Sequence, residues 1–136
     1  MRKPFWLFPV LLLAAGPAEA SGPPLILFET GSVRLSEQAE ALLDWTITWL
    51  REAHAEHVSV GGNADRVGSA AANQRLSRRR AEAVRDALVR RGFPADRIEV
   101  RDFGETRPLI ETADGVAERQ NRYAIVMIER VAPPTE

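Results

Sequence analysis

The chain has 136 residues, 18 basic against 19 acidic, and no cysteine. Balanced charge argues against nucleic acid as the main partner, because phosphate binding usually rests on an excess of basic groups. The missing cysteines exclude a disulfide framework, and the length suits a single domain with a single core.

Residues 1–20 read as a cleaved secretory signal. Arg2 and Lys3 form a positive start, Phe5 to Ala15 is apolar, and Ala18-Glu19-Ala20 fits the small-x-small cleavage pattern. The apolar run is about half the roughly 20 residues a membrane span needs, and it carries Pro9. No cysteine follows it to carry a lipid, and nothing later in the chain is apolar and long enough to cross a bilayer. Residues 21–24 are a short lead. Leu25 to Phe28 reads as a buried strand, and Thr30 to Leu35 as a loop containing Gly31. Ser36 is placed to cap a helix of about 18 residues, with Glu37 and Glu40 near its positive end. Leu42, Thr46, Trp49, Leu50 and Ala53 share one face of it. His57 to Val60 reads as a second strand, ended by Gly61-Gly62.

The Asp65–Gly68 loop follows. Ser69 caps a second helix that runs to about Arg91, where Gly92 and Pro94 stop it. Arg97 to Phe103 alternates apolar and polar residues, as a strand does. Gly104 to Gln120 is a long loop with Pro108, a turn at Asp114-Gly115 and a short helical piece. Arg122 to Val131 is the last strand, and its run Ala124 to Ile128 is apolar on both faces, which predicts a central position. Residues 132–136 are expected to form a frayed tail. The order strand, helix, strand, helix, strand, strand suits one sheet covered by helices on one face.

One residue is out of place. Winding residues 72–91 at about 100° per residue puts Leu76, Ala83, Val84, Ala87 and Leu88 on one apolar stripe. Arg80 falls near its middle, with Asn73 close by, while Arg75, Arg78, Arg79 and Arg85 point elsewhere. A guanidinium there keeps its proton and needs acceptors. Asp65, in the loop before the helix, is one candidate. Two readings stay open. Asp65 and Arg80 form an internal ion pair that holds the loop, or each is left partly free for a zwitterionic ligand, the carboxylate for its ammonium and the guanidinium for its carboxylate.

Gly62, Asp65, Gly68, Asn73, Leu76, Ser77, Arg79, Arg80 and Ala81 stand at the spacing G-x-x-D-x-x-G-x(4)-N-x-x-L-S-x-R-R-A. This resembles the OmpA C-terminal-like domain, the peptidoglycan-binding module also found in Pal and MotB proteins. Leu25 to Leu35, Gly104-Glu105-x-x-Pro108 and Asn121-Arg122 resemble further motifs of that family, so the likeness covers roughly residues 25–131. It implies an α+β fold, a single βαβαββ domain with a mixed sheet of about four strands and helices on one face. It also implies non-covalent binding of peptidoglycan through the diaminopimelate of the stem peptide, in the periplasm, near the cell wall or outer membrane. Carried over, Asp65 takes the ammonium and Arg80 the carboxylate. Thr30 and Gly31 contact the ligand from the first loop, Asn73 orients the loop or touches the ligand, and Arg122 helps at the cleft rim. Three positions depart from the family pattern: Asn63, Ala64 and Tyr123.

The likeness calls for no cofactor and no metal, and no nucleophile or metal-water set for an enzyme is visible. His54 and His57 read as a solvated helix end, and Trp45 and Trp49 as core or half-buried packing. The alternative reading is a protein-binding module of the cell envelope, as in Pal-type domains, with the Asp65–Arg80 pair vestigial or purely structural; another envelope protein or a second copy of the chain is an expected partner beside peptidoglycan.

Overall fold

The computed structural model describes residues 22–135; the expected signal, residues 1–20, lies outside them. The elements are β1 (Leu25–Leu27), α1 (Glu37–Glu52), β2 (Ala55–Asn63), α2 (Ala70–Arg90), β3 (Ile98–Asp102) and β4 (Tyr123–Val131), with short 3-10 turns at Ala95–Arg97 and Arg119–Asn121. The strands form one mixed sheet in the order β1-β4-β2-β3. β2 and β3 run parallel, whereas β4 pairs antiparallel with both β1 and β2. The last strand is therefore interior, as its apolar run predicts.

Local chemistry sets the helix ends. The Ser36 hydroxyl accepts from the Ala39 N–H at 3.0 Å, and the Ser69 hydroxyl from the Ala72 N–H at 3.1 Å. Each satisfies a donor that the first helical turn leaves without a partner. α2 stops at Gly92, whose φ of +96° is open to glycine. The Phe93 N–H then closes back on the Leu88 carbonyl at 3.1 Å. α1 ends in a similar reversal at His54, which carries φ +54° although it is not glycine.

Ile26, Phe28, Val58, Val60, Ala124 and Val126 face one side of the sheet. There they pack in one core with Ala39, Leu43, Ile47 and Leu50 of α1 and Ala81, Val84, Ala87 and Leu88 of α2. The buried stripe of α1 is thus Ala39, Leu43, Thr46, Ile47 and Leu50, rotated from the predicted face. Leu42 and Trp49 pack at its flank. Trp49 stacks on Trp45, the ring centres 6.0 Å apart and the planes 9° from parallel. On α2, Ser77 and Ala81 are buried, while Leu76 and Ala83 sit at the stripe's edges.

The glycines correct a second expectation. β2 does not end at Gly61-Gly62 but runs through both to Asn63. A side chain at Gly61 would meet the Phe103 ring, and one at Gly62 the Ser77 carbonyl of α2. These glycines admit close neighbours inside a strand rather than breaking it. At the other end, the Ala132 N–H bonds the His54 carbonyl at 2.8 Å, so order persists one residue past β4.

Candidate functional site

Arg80 is fully buried (0% exposed). Its acceptors are backbone carbonyls. Nε donates to Ser32 O at 3.0 Å, Nη1 to Asn63 O at 3.1 Å and Nη2 to Glu29 O at 3.2 Å. The Phe28 ring lies against the guanidinium, 5.3 Å from its central carbon, a cation–π distance. A guanidinium has five N–H groups. These bonds leave two of them, one on each terminal nitrogen, without a partner among the described residues. Burial pushes the pKa of Arg80 down to about 10; Asp65 nearby opposes the shift and Arg122 adds to it. The side chain therefore stays cationic at neutral pH.

The carbonyls Arg80 holds bracket a turn. The Ser32 N–H returns to Glu29 O at 3.0 Å, with Thr30 and Gly31 at the apex, both exposed. Gly31 has φ +64°, which glycine adopts freely. Arg80 thus anchors both ends of the loop that carries Thr30 and Gly31.

Asp65 (5% exposed) does not pair with Arg80. Its Oδ2 accepts from Arg122 Nη1 at 3.0 Å and from the Glu118 N–H at 3.2 Å. Oδ1 has only a long contact, 3.5 Å, from the Val67 N–H. The internal ion pair exists, but its cation is Arg122. That residue, expected at the cleft rim, is 7% exposed and also donates from Nε to Phe28 O at 2.9 Å. The chain brings Arg122 inward because it precedes β4, whose register sets it opposite Phe28.

Asn73 is buried and orients the loops. Its amide donates to Val67 O at 3.0 Å and to Glu105 Oε2 at 2.8 Å. Two residues unmarked as site candidates do comparable work. Asn121 clamps the long β3–β4 loop through the N–H groups of Leu109 and Ile110 and the Ile110 carbonyl. Asn63 accepts from the Arg107 N–H and donates to Asn121 O. Buried asparagines beside a long loop were the available signal, since an amide can satisfy several backbone groups at once.

Two cavities, of about 490 and 360 Å3, flank the β1–α1 loop, and neither is lined by Asp65 or Arg80. The charged groups lie beneath exposed loops rather than in an open hole.

Compared with known proteins, residues 27–122 match the profile described as the OmpA family. The chain belongs to the OmpA family. A peptidoglycan-associated lipoprotein of Rhizobium meliloti (strain 1021) is 34% identical over 103 residues, covering 76% of this chain and 58% of that protein. Outer membrane protein A of Escherichia fergusonii is 39% identical over 97 residues, covering 69% of this chain and 40% of that protein. The crystal structure of the peptidoglycan-associated lipoprotein from Burkholderia pseudomallei superposes with a TM-score of 0.68 at 30% identity, over 76% of this chain and 87% of that one. The chain spans less than two thirds of the length of either sequence relative.

In this OmpA-family domain the motif residues divide by task. Gly62, Ser77 and Ala81 let α2 lie close on β2, and the Ser77 hydroxyl accepts from the Gly104 N–H at 2.9 Å. Gly68, at φ +83°, turns the loop into α2. Asn73 and Arg80 tie three loops together, whereas Arg79 is exposed. The side chains of Asn63 and Tyr123 face the β3–β4 loop, Tyr123 through a 2.6 Å bond from its hydroxyl to Arg107 O.

Proposed function

We propose that this domain binds peptidoglycan non-covalently in the cell envelope, through the diaminopimelate of the stem peptide, and does no chemistry on it. The observation that carries the reading is a buried guanidinium whose hydrogen-bond partners among the described residues are all backbone carbonyls. Two of its N–H groups have no partner among the described residues, beneath the exposed Thr30–Gly31 turn, and Oδ1 of the nearby carboxylate has only the 3.5 Å contact from the Val67 N–H. The ligand's carboxylate would take the terminal N–H groups of Arg80, and its ammonium would take Asp65 Oδ1. Arg122 and the Glu118 N–H hold Asp65 by its other oxygen, and Asn73 fixes the loop between them. Two relatives whose names state a peptidoglycan association support the same reading, which carries with it a periplasmic, wall-facing location for the domain.

Each charge-assisted bond contributes about 1.5–3 kcal/mol. Asp65→Asn should therefore lower affinity for a diaminopimelate peptide at least about tenfold, while the amide oxygen still accepts from Arg122. Arg80→Lys should do the same, because an ammonium cannot reproduce the planar fork. Sedimentation with purified sacculi, and titration with a diaminopimelate peptide against a lysine-containing control, read both effects. A thermal melt of each variant checks folding. If both variants melt cooperatively and pellet with sacculi like the parent, the reading is wrong.

A further inference from the structure

We infer that the free edge of β1 is a docking site for an extended, acidic peptide segment of another protein. Among the described residues β1 is an outer strand with β4 as its one strand neighbour. The Phe28 N–H bonds the Arg122 carbonyl at 2.8 Å, and the Val126 N–H bonds the Pro24 carbonyl at 3.2 Å. In an antiparallel pair, bonded and non-bonded residues alternate. Pro24, Ile26 and Phe28 therefore turn their backbone groups towards β4, and Leu25 and Leu27 turn theirs outward. These two N–H and two C=O groups have no hydrogen-bond partner among the described residues. They border the cavity of about 490 Å3, which is lined by β1, by Ala39 and Leu42 of α1, and by Arg34 and Arg119.

An added strand satisfies such an edge, since its own N–H and C=O groups alternate at the same spacing. The charge of the lining selects the occupant. Arg34 and Arg119 form no ion pair among the described residues. Glu29 is the one acid on the lining, which is left net positive. A second copy of this chain would bring the same two guanidinium groups to the joint. A different chain with carboxylates flanking a short apolar or β-branched core is the complementary partner. Asp65 and Arg80 do not line this cavity, although Phe28 and Glu29 on its lining contact Arg80 from the other side.

The test is an amide NMR titration of the isotope-labelled chain with the capped peptide Glu-Val-Thr-Val-Glu. Three controls accompany it: the Lys-Val-Thr-Val-Lys counterpart, versions N-methylated on alternate residues in both phases, and the chain carrying Arg34→Glu with Arg119→Glu. The acidic peptide should shift the Leu25 and Leu27 amides saturably. The basic peptide should bind about tenfold more weakly, one N-methylated phase should lose binding, and the double variant should invert the charge preference. Asp65→Asn should leave this titration unchanged, so failure here and failure of the wall-binding reading are distinguishable. No saturable shift at Leu25 and Leu27, equal binding of acidic and basic peptides, or shifts that grow with protein concentration without peptide would each overturn the proposal.

Discussion

At the residue scale, Arg80 shows how far a sequence pattern reaches. Its helical phase makes its burial legible, because a period of 3.6 places it between Leu76 and Val84 whatever surrounds it. Its partners were not legible, because they are main-chain carbonyls, which every residue carries. The Asp65–Arg122 pair was hidden for a different reason: the two are 57 positions apart and meet only after β4 enters the sheet. Replacing Arg80 with Met would leave the Ser32 and Asn63 carbonyls short of a donor while Glu29 O keeps the Ser32 N–H. Denaturant unfolding should therefore show a loss of about 2 kcal/mol, together with a loosened Thr30–Gly31 turn. Tyr123 offers a pH test, as it is the only tyrosine. Burial raises its pKa above the usual 10.0, with Arg107 opposing. The folded state then holds the phenol proton more tightly than the unfolded state. Stability from this group is complete below pH 10 and is lost as pH rises through the folded value. Phenolate absorbance should titrate above 10 in buffer and return to the ordinary value in denaturant. Tyr123→Phe should remove that part of the alkaline loss.

At the element scale, both helices and β1, β3 and β4 end within one or two residues of where the sequence puts them, and β2 does not. A cap is a local event, with Ser36 and Ser69 meeting N–H groups three residues on. The glycines of β2 misled because the reason for them sits on other elements: the Phe103 ring over one and the Ser77 carbonyl over the next. The same remoteness displaced the predicted face of α1, where the bulk of Trp45 and Trp49 belongs to the flank and the smaller Leu43 and Ile47 to the core. The closeness of α2 to β2 makes Gly62 a sensitive position. Gly62→Ala would force α2 outward and carry Arg80 with it. A destabilisation of about 3 kcal/mol should appear in chemical unfolding, and affinity for sacculi should fall with it. Gly115→Ala, strained by φ +78° but with nothing within reach of a Cβ, should cost less.

At the scale of the whole molecule, three loops and the start of β4 converge at one end of the sheet, and the candidate site is the knot that ties them. The βαβαββ order and the interior place of the last strand could be read from hydrophobic pattern alone. The antiparallel pairing of β1 with β4 could not, because strand order depends on which edges meet in space. That order makes the final strand indispensable. A chain ending at Gln120 would lack Ala124 and Val126 of the core and the one strand neighbour of β1. It should show no cooperative melt, and circular dichroism would check this.

The place of β4 between β1 and β2 also has a consequence in time. Synthesis runs from the N-terminus, so the first strand waits, unpaired, for the last. Pairing across nearly the whole chain is slow to form, and no earlier segment can complete the sheet in its stead. Until the last strand is released the core lacks Ala124 and Val126 and the sheet stays open between β1 and β2.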